Sequence, residues 1–184
     1  MKNFRATLRK KVLLSIVAVV VNVALGSLFE KLDTPFLFLD SIGTIFIATI
    51  CGPFFGVLTG LSTNLFLGLT YGVVAIPFAP VNIAIGFIAG MLAPKGFGII
   101  EAIIMGISLG FVCSLIAVPI NVLLFDGITG AGTDYLVLLF QGMGKDIFES
   151  TFASSVMANM VDKILSCVFV SVLVKFLKVK EIQF

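Results

Sequence analysis

The sequence predicts an all-α integral membrane protein with six transmembrane helices, and three observations carry that prediction. Of its 184 residues, 59 % are hydrophobic and only 12 % charged, and the mean hydropathy is +1.20; a soluble domain holds about 45–50 % apolar and about 25 % charged residues. The apolar residues gather in runs close to membrane-spanning length, divided by Gly, Pro and charge. The alternation of roughly ten-residue strands that marks a transmembrane barrel is missing, so a segment in lipid has to satisfy its own backbone hydrogen bonds as a helix. Residues 1–184 read as a single transmembrane domain.

The basic start MKNFRATLRK leads into an apolar run at 12–29. It resembles a signal peptide, but further apolar runs begin within ten residues and no small-residue cleavage pattern with a polar mature segment follows, so it reads as the first membrane helix. The second run, 36–50, is short for a crossing and ends at Cys51-Gly52-Pro53, where the chain turns tightly into the third run, 54–71; a reentrant hairpin fits this pair as well. The fourth run, 74–93, holds Pro77 and Pro80, so residues 71–80 read as a loop or a broken helix that resumes at Val81. Ala93-Pro94-Lys95-Gly96 is a turn, and the fifth run spans 99–125. Glycines and aspartates at 125–134 break it; 135–155 reads as an interfacial or partly inserted helix leading into the last span, centred on 153–177.

Charge sets the expected orientation. Lys2, Arg5, Arg9, Lys10, Lys11, Lys95, Lys175, Lys178 and Lys180 fall on one side, against Lys31 and Lys145 on the other, which puts both termini in the cytoplasm. The outward segments are then 30–36, 71–80 and 126–150.

Several function classes drop out. There is no histidine, and Cys51, Cys113 and Cys167 are widely spaced in apolar surroundings, so neither a disulfide framework nor a metal site is expected. No nucleophile elbow, Walker loop or HExxH motif is present, so the expectation is no enzyme activity and no cofactor. The basic residues are accounted for by topology, which leaves nothing pointing to nucleic acid.

Small residues recur four apart on the third run, at Gly52, Gly56, Gly60, Asn64 and Gly68, and again as Gly86 with Gly90 and Gly106 with Gly110. Such faces let helix backbones approach closely, within the chain or against another membrane protein. Ser15, Ala18, Asn22 and Gly26 make a comparable face on the first helix, and Asn22 needs a protein partner for its amide.

Asn64, Asn82, Asn121 and Asn159 interrupt apolar helices, where each serves as interhelical glue or as a ligand contact. Asp40 either caps the second helix or receives a substrate amine. Lys145 and Glu149, four apart, either pair with each other or hold a substrate carboxylate or phosphate and a ring N–H. Asp162 and Lys163 fall inside the last apolar run. Neighbours point about 100° apart, which disfavours their pairing; the lysine is expected to snorkel and the aspartate to need a partner.

The runs LDSIGTIFIATICGPFFGVLTGLSTNLFLGL at 39–69 and VNIAIGFIAGMLA at 81–93, with ITGAGTDY at 128–135 and VDK at 161–163, resemble the membrane-embedded substrate-binding S components of energy-coupling factor transporters. The resemblance implies a multi-pass protein of a bacterial or archaeal cell membrane. Such a protein captures a vitamin or related micronutrient outside the cell and delivers it together with a transmembrane coupling protein and two cytosolic ATPases. It also implies that the first helix docks on the coupling protein through small residues four apart; here that face is Ser15, Ala18, Asn22 and Gly26, with Asn22 departing from the pattern. The pocket is expected beneath the outward loops, lined by Asn64, Tyr71, Asn82, Asn121, Tyr135, Gln141, Lys145 and Glu149, and suited to a flat, polar, water-soluble molecule. The alternatives are a structural or sensory membrane domain and an orphan secondary transporter using Asp162 and Lys163.

Overall fold

A computed structural model describes residues 2–93 and 97–177, apart from the side chains of residues 2–7 and of Tyr71. The expected turn at Pro94-Lys95-Gly96, and Lys178 and Lys180, lie outside the described residues. The described chain is all-helical: α1 (Lys2–Lys31), α2 (Ile42–Cys51), α3 (Pro53–Tyr71), α4 (Ala79–Leu92), α5 (Ile99–Phe125), α6 (Asp134–Gly142) and α7 (Ile147–Phe176). A 3₁₀ turn at Val73–Phe78 leads into α4.

Among the described residues five segments are long and apolar enough to cross a membrane: Leu8–Lys31, Pro53–Thr70, Val73–Leu92, Ile99–Phe125 and Ile147–Phe176. The chain is therefore an all-α, multi-pass membrane protein, with five such helices where six were expected. The difference lies at the second run. Helix begins only at Ile42, after an irregular stretch at 32–41, which leaves α2 with ten residues, about 15 Å of rise and half a bilayer. Most of α2 is buried, and it packs on α1, α3, α4 and α7. The fourth span, by contrast, reaches 20 residues because the 3₁₀ turn holding Pro77 extends α4.

Turn chemistry divides the elements where the sequence suggested. Gly52 takes φ +92°, a conformation closed to most side chains, and Pro53 starts α3 where a missing N–H costs nothing. The last helix is longer than expected. Asp146 caps it through the Glu149 N–H at 2.8 Å, so KDIFES forms the cap and first turn of a continuous 30-residue helix.

Helix packing follows the small residues. A methyl on Gly86 would strike the Gly56 carbonyl, and one on Gly60 the Asn82 carbonyl, so α3 and α4 touch backbone to backbone. Gly106 lies against Ile164 and Gly110 against Met160, which joins α5 to α7 in the same way. Between these seams sits a core that includes Ile45, Ala48, Ile85, Ala89, Phe97, Leu109, Cys113, Cys167 and Val170. In lipid such a core is held by packing rather than by a hydrophobic drive, because the surrounding tails are equally apolar. Leu13, Ile16, Val17 and Val20 stand exposed on the opposite side of α1, as a lipid-facing surface requires.

Within the face Ser15, Ala18, Asn22 and Gly26, the two central residues, Ala18 and Asn22, are buried against the chain's own helices. Gly43 of α2 packs on the Ala18 backbone, Gly26 meets the Asp40 side chain, and Asn22 is wholly buried. Its Oδ1 accepts the Gly43 N–H at 2.6 Å, while its Nδ2 donates to the Thr44 and Thr63 hydroxyls at 3.0 Å each. Ser15 and Gly26 are partly accessible; the Ser15 hydroxyl is bonded back to the Lys11 carbonyl at 2.9 Å, and Gly26 lies at the cavity wall. The small residues let α2 sit against α1, and Asn22 accepts the first-turn N–H of α2 that its own N-cap side chain leaves unbonded.

Candidate functional site: a polar cavity with a buried charge cluster

A cavity of about 400 Å³ opens among the helices, at the end of the bundle where three connections meet. Residues Phe38 and Asp40 from the α1–α2 connection, Gly72, Val74, Ala75 and Phe78 from the α3–α4 connection, and Thr129, Gly130, Ala131 and Thr133 from the α5–α6 connection all contribute to its wall. These connections are fixed to the bundle. Asn64 Nδ2 donates to the Ala75 carbonyl at 2.9 Å, and the Phe78 ring stacks on Phe125 with centroids 5.9 Å apart. Asp134 accepts the Thr129 and Gly130 N–H groups at 3.0 and 2.7 Å, and Ser154 Oγ donates to the Thr133 carbonyl at 3.0 Å.

The helical wall is polar in a regular way. On α7, Thr151, Ser155, Asn159 and Lys163 recur every four residues and all face the cavity, with Ser154 beside them. Asn121 comes from α5, Asn82 from α4, Asn64 from α3 and Glu30 from the end of α1. Two of the asparagines are tied together: Asn82 Nδ2 donates to Asn64 Oδ1 at 3.0 Å and reaches the Asp40 carbonyl at 3.4 Å.

At the cavity floor lies the cluster formed by Asp40, Asp162 and Lys163. Lys163 Nζ sits 2.5 Å from Asp162 Oδ2, 3.0 Å from Ser41 Oγ and 3.8 Å from Asp40 Oδ1. The other oxygen of Asp162, Oδ1, accepts the Phe38 and Leu39 N–H groups at 2.8 Å each. Asp162 and Lys163 therefore do pair, although neighbours on a helix diverge, because the lysine's four-carbon stem folds its ammonium back across that angle. Lys163 stays buried rather than snorkelling. Asp40 does not cap α2; no side chain caps that helix at Ser41, and Asn22 holds the Gly43 N–H instead.

Of the residues expected to line a pocket, Asn64, Asn82 and Asn121 are brought together. Tyr135, Gln141, Lys145 and Glu149 are exposed and lie off the cavity, and the Tyr71 side chain lies outside the described residues. Val137 is the α6 residue that faces inward, and Tyr135, two positions away, points to the other side. Tyr135 is exposed, and its hydroxyl hydrogen-bonds to the Asp33 carboxylate, which raises the phenol's pKa above its ordinary value. Glu149 stands two residues before Thr151 and faces away from the cavity stripe for the same reason; Lys145 and Glu149 form no ion pair with each other. Glu30, Thr129, Thr133, Thr151 and Ser155 were missed as lining residues. The four-residue recurrence of Thr151, Ser155, Asn159 and Lys163 was the available signal for α7.

Comparison of the chain with family models, curated proteins and solved structures gives no match.

Proposed function

We propose that the protein is the substrate-binding membrane subunit of an energy-coupled uptake system. It takes a small, water-soluble, vitamin-sized molecule from outside the cell into the cavity and delivers it across the membrane together with a transmembrane coupling protein and two cytosolic ATPases. The cavity is the observation that carries this reading. Its volume of about 400 Å³ lies within the range of small-molecule sites, about 300–1,000 Å³. Its polar groups come from α1, α3, α4, α5 and α7, so they converge only in the folded bundle. A purely structural membrane domain has no need of such a space.

The energy source and partners follow from two further considerations. The chain carries no nucleotide-binding loop, so uphill uptake requires a separate motor. The likeness of residues 39–69, 81–93, 128–135 and 161–163 to S components supplies the partner classes. With both termini cytoplasmic, as the distribution of basic residues suggests, α2 and the irregular stretch before it together complete a sixth crossing, the three converging connections face outward and the cavity opens to the medium.

Two measurements test the proposal. Mass spectrometry of small molecules released from the purified chain is expected to find one vitamin-sized compound in near-stoichiometric amount. Uptake of that compound by cells producing the chain is expected to require a coupling protein and an ATPase pair. A secondary-transport reading draws on the Asp40, Asp162 and Lys163 charges at membrane depth. Robust uptake by the isolated chain in vesicles, driven by an imposed proton or sodium gradient, would establish it and overturn the proposal.

A further inference from the structure

We propose that the cavity is built for a cationic ligand, an amine or a positively charged nitrogen heterocycle, and that the Asp40 carboxylate receives its charge. This step rests on the cavity being a binding site and names the class of molecule it takes.

The argument begins with charge. Glu30 and Asp40 are acidic groups of the cavity wall, and Lys163 is the single basic one among the described residues. That lysine is already committed: Asp162 holds it at 2.5 Å and Ser41 at 3.0 Å, while Asp40 stands off at 3.8 Å, beyond hydrogen-bond range. One ammonium lies between two carboxylates and the nearer one takes it. Asp40 is left a quarter exposed at the cavity surface, without a direct donor from a basic side chain.

The neutral groups lean the same way. Asn159 Nδ2 donates to the Ser155 carbonyl at 2.9 Å and to its hydroxyl at 3.1 Å. A carbonyl only accepts, so the orientation of this amide is fixed and Oδ1 is its spare atom. Asn64 is fixed likewise by the Ala75 carbonyl, and its Oδ1 accepts from Asn82; Asn82 Nδ2 spends both of its N–H groups, on Asn64 Oδ1 and the Asp40 carbonyl, and Asn64 Nδ2 keeps one. Asn121 Oδ1 has no partner. The hydroxyls of Thr133, Thr151 and Ser155 donate or accept and discriminate nothing. The unused capacity of the wall is thus mainly for hydrogen-bond donors. An anionic ligand would meet two carboxylates and no uncommitted cation, because Lys145, the residue expected to hold an acid group, is exposed and off the cavity.

The test uses the full chain in detergent micelles and sets of aminomethyl, hydroxymethyl and carboxylate derivatives of the same pyridine and pyrimidine rings, read by thermal shift and by calorimetry. The aminomethyl members are expected to stabilise the wild type over their neutral and anionic counterparts. Asp40→Asn is expected to weaken them by about ten- to a hundredfold, the loss of one charge-assisted contact. Glu30→Gln, at an exposed position, tests the charge without touching the packed floor and is expected to weaken them by a smaller factor. If neutral or anionic members bind as well or better, or if neither variant affects the amines, the cation assignment falls while the binding site stands. If no member of any set binds, the reading of the cavity as a site for vitamin-sized molecules falls with it.

Discussion

Replacement of Asp162 by alanine tests how the charge cluster is held. Asp162 is wholly buried and its carboxylate has three partners: the Lys163 ammonium through Oδ2, and the Phe38 and Leu39 N–H groups through Oδ1. Removing one member of a buried ion pair costs about 3–5 kcal/mol, because the other charge is left uncompensated. Each stranded N–H adds about 1–3 kcal/mol when it finds no other partner. The losses do not add in full. Asp40 needs to move by only about 1 Å from its 3.8 Å separation to bond Lys163, and the unfolded chain in a membrane also finds partners. The expected destabilisation is therefore about 3–5 kcal/mol, read from equilibrium unfolding in mixed micelles of mild and denaturing detergent. Asp162→Asn keeps an acceptor for the two amides and should cost about half as much. The double change Asp162→Ala with Lys163→Met removes both charges and should recover most of the loss, leaving the two amides unpaired. A cost below about 1 kcal/mol for Asp162→Ala, or a double variant as unstable as the sum of its singles, would refute this account of the cluster.

Asn22→Ala should lower stability by about 1–3 kcal/mol in the same unfolding assay, since it strands the Gly43 N–H and leaves a gap between α1, α2 and α3. Gly86→Ala should cost about 1–3 kcal/mol, because its methyl would meet the Gly56 backbone, which cannot rotate away as a side chain would. Asn121→Ala should leave the melting temperature nearly unchanged, since its buried Oδ1 has no partner to lose, and should weaken retention of the co-purifying molecule. Lys145→Ala, at an exposed position off the cavity, should alter neither; a loss of ligand on that change would return Lys145 to the site.

The helical character, most span boundaries and the packing seams were legible in the sequence, because each rests on local properties: apolar length, Gly and Pro punctuation, and small residues four apart. Gly56, Gly60, Gly86 and Gly90 predicted close backbone approach and deliver it. The role of α2 was less legible. An apolar segment buried by its own neighbours has the same composition as one buried in lipid, and only the late helix start at Ile42 separates them. The Asn22 face is ambiguous on similar grounds: small residues mark close packing without saying whether the neighbour belongs to the same chain, and here Ala18 and Asn22 pack within it. At the cavity, side-chain direction decided the outcome. Tyr135 and Glu149 have suitable chemistry, but each stands two helical positions from a residue that does face inward, Val137 and Thr151 respectively.

The Asp162 and Lys163 pair gains its meaning from the irregular stretch before α2. Backbone that is neither helix nor sheet survives at membrane depth only when protein groups satisfy its polar atoms. Here the tethers are side chains: Asp162 takes the Phe38 and Leu39 N–H groups, Asn82 reaches the Asp40 carbonyl, and Lys163 bonds Ser41 Oγ. A continuous helix through 36–50 would need none of these, and would also fill the space beside Asn64 and Asn82. Breaking that helix creates a wall on which Asp40 faces the cavity with Lys163 3.8 Å away, and the buried charges of α7 are the means by which the break is stabilised. One perturbation separates the two duties: loss of Asp162 should loosen the segment and the bundle together, whereas Asp40→Asn, which leaves every backbone tether in place, should change what the cavity holds and little else.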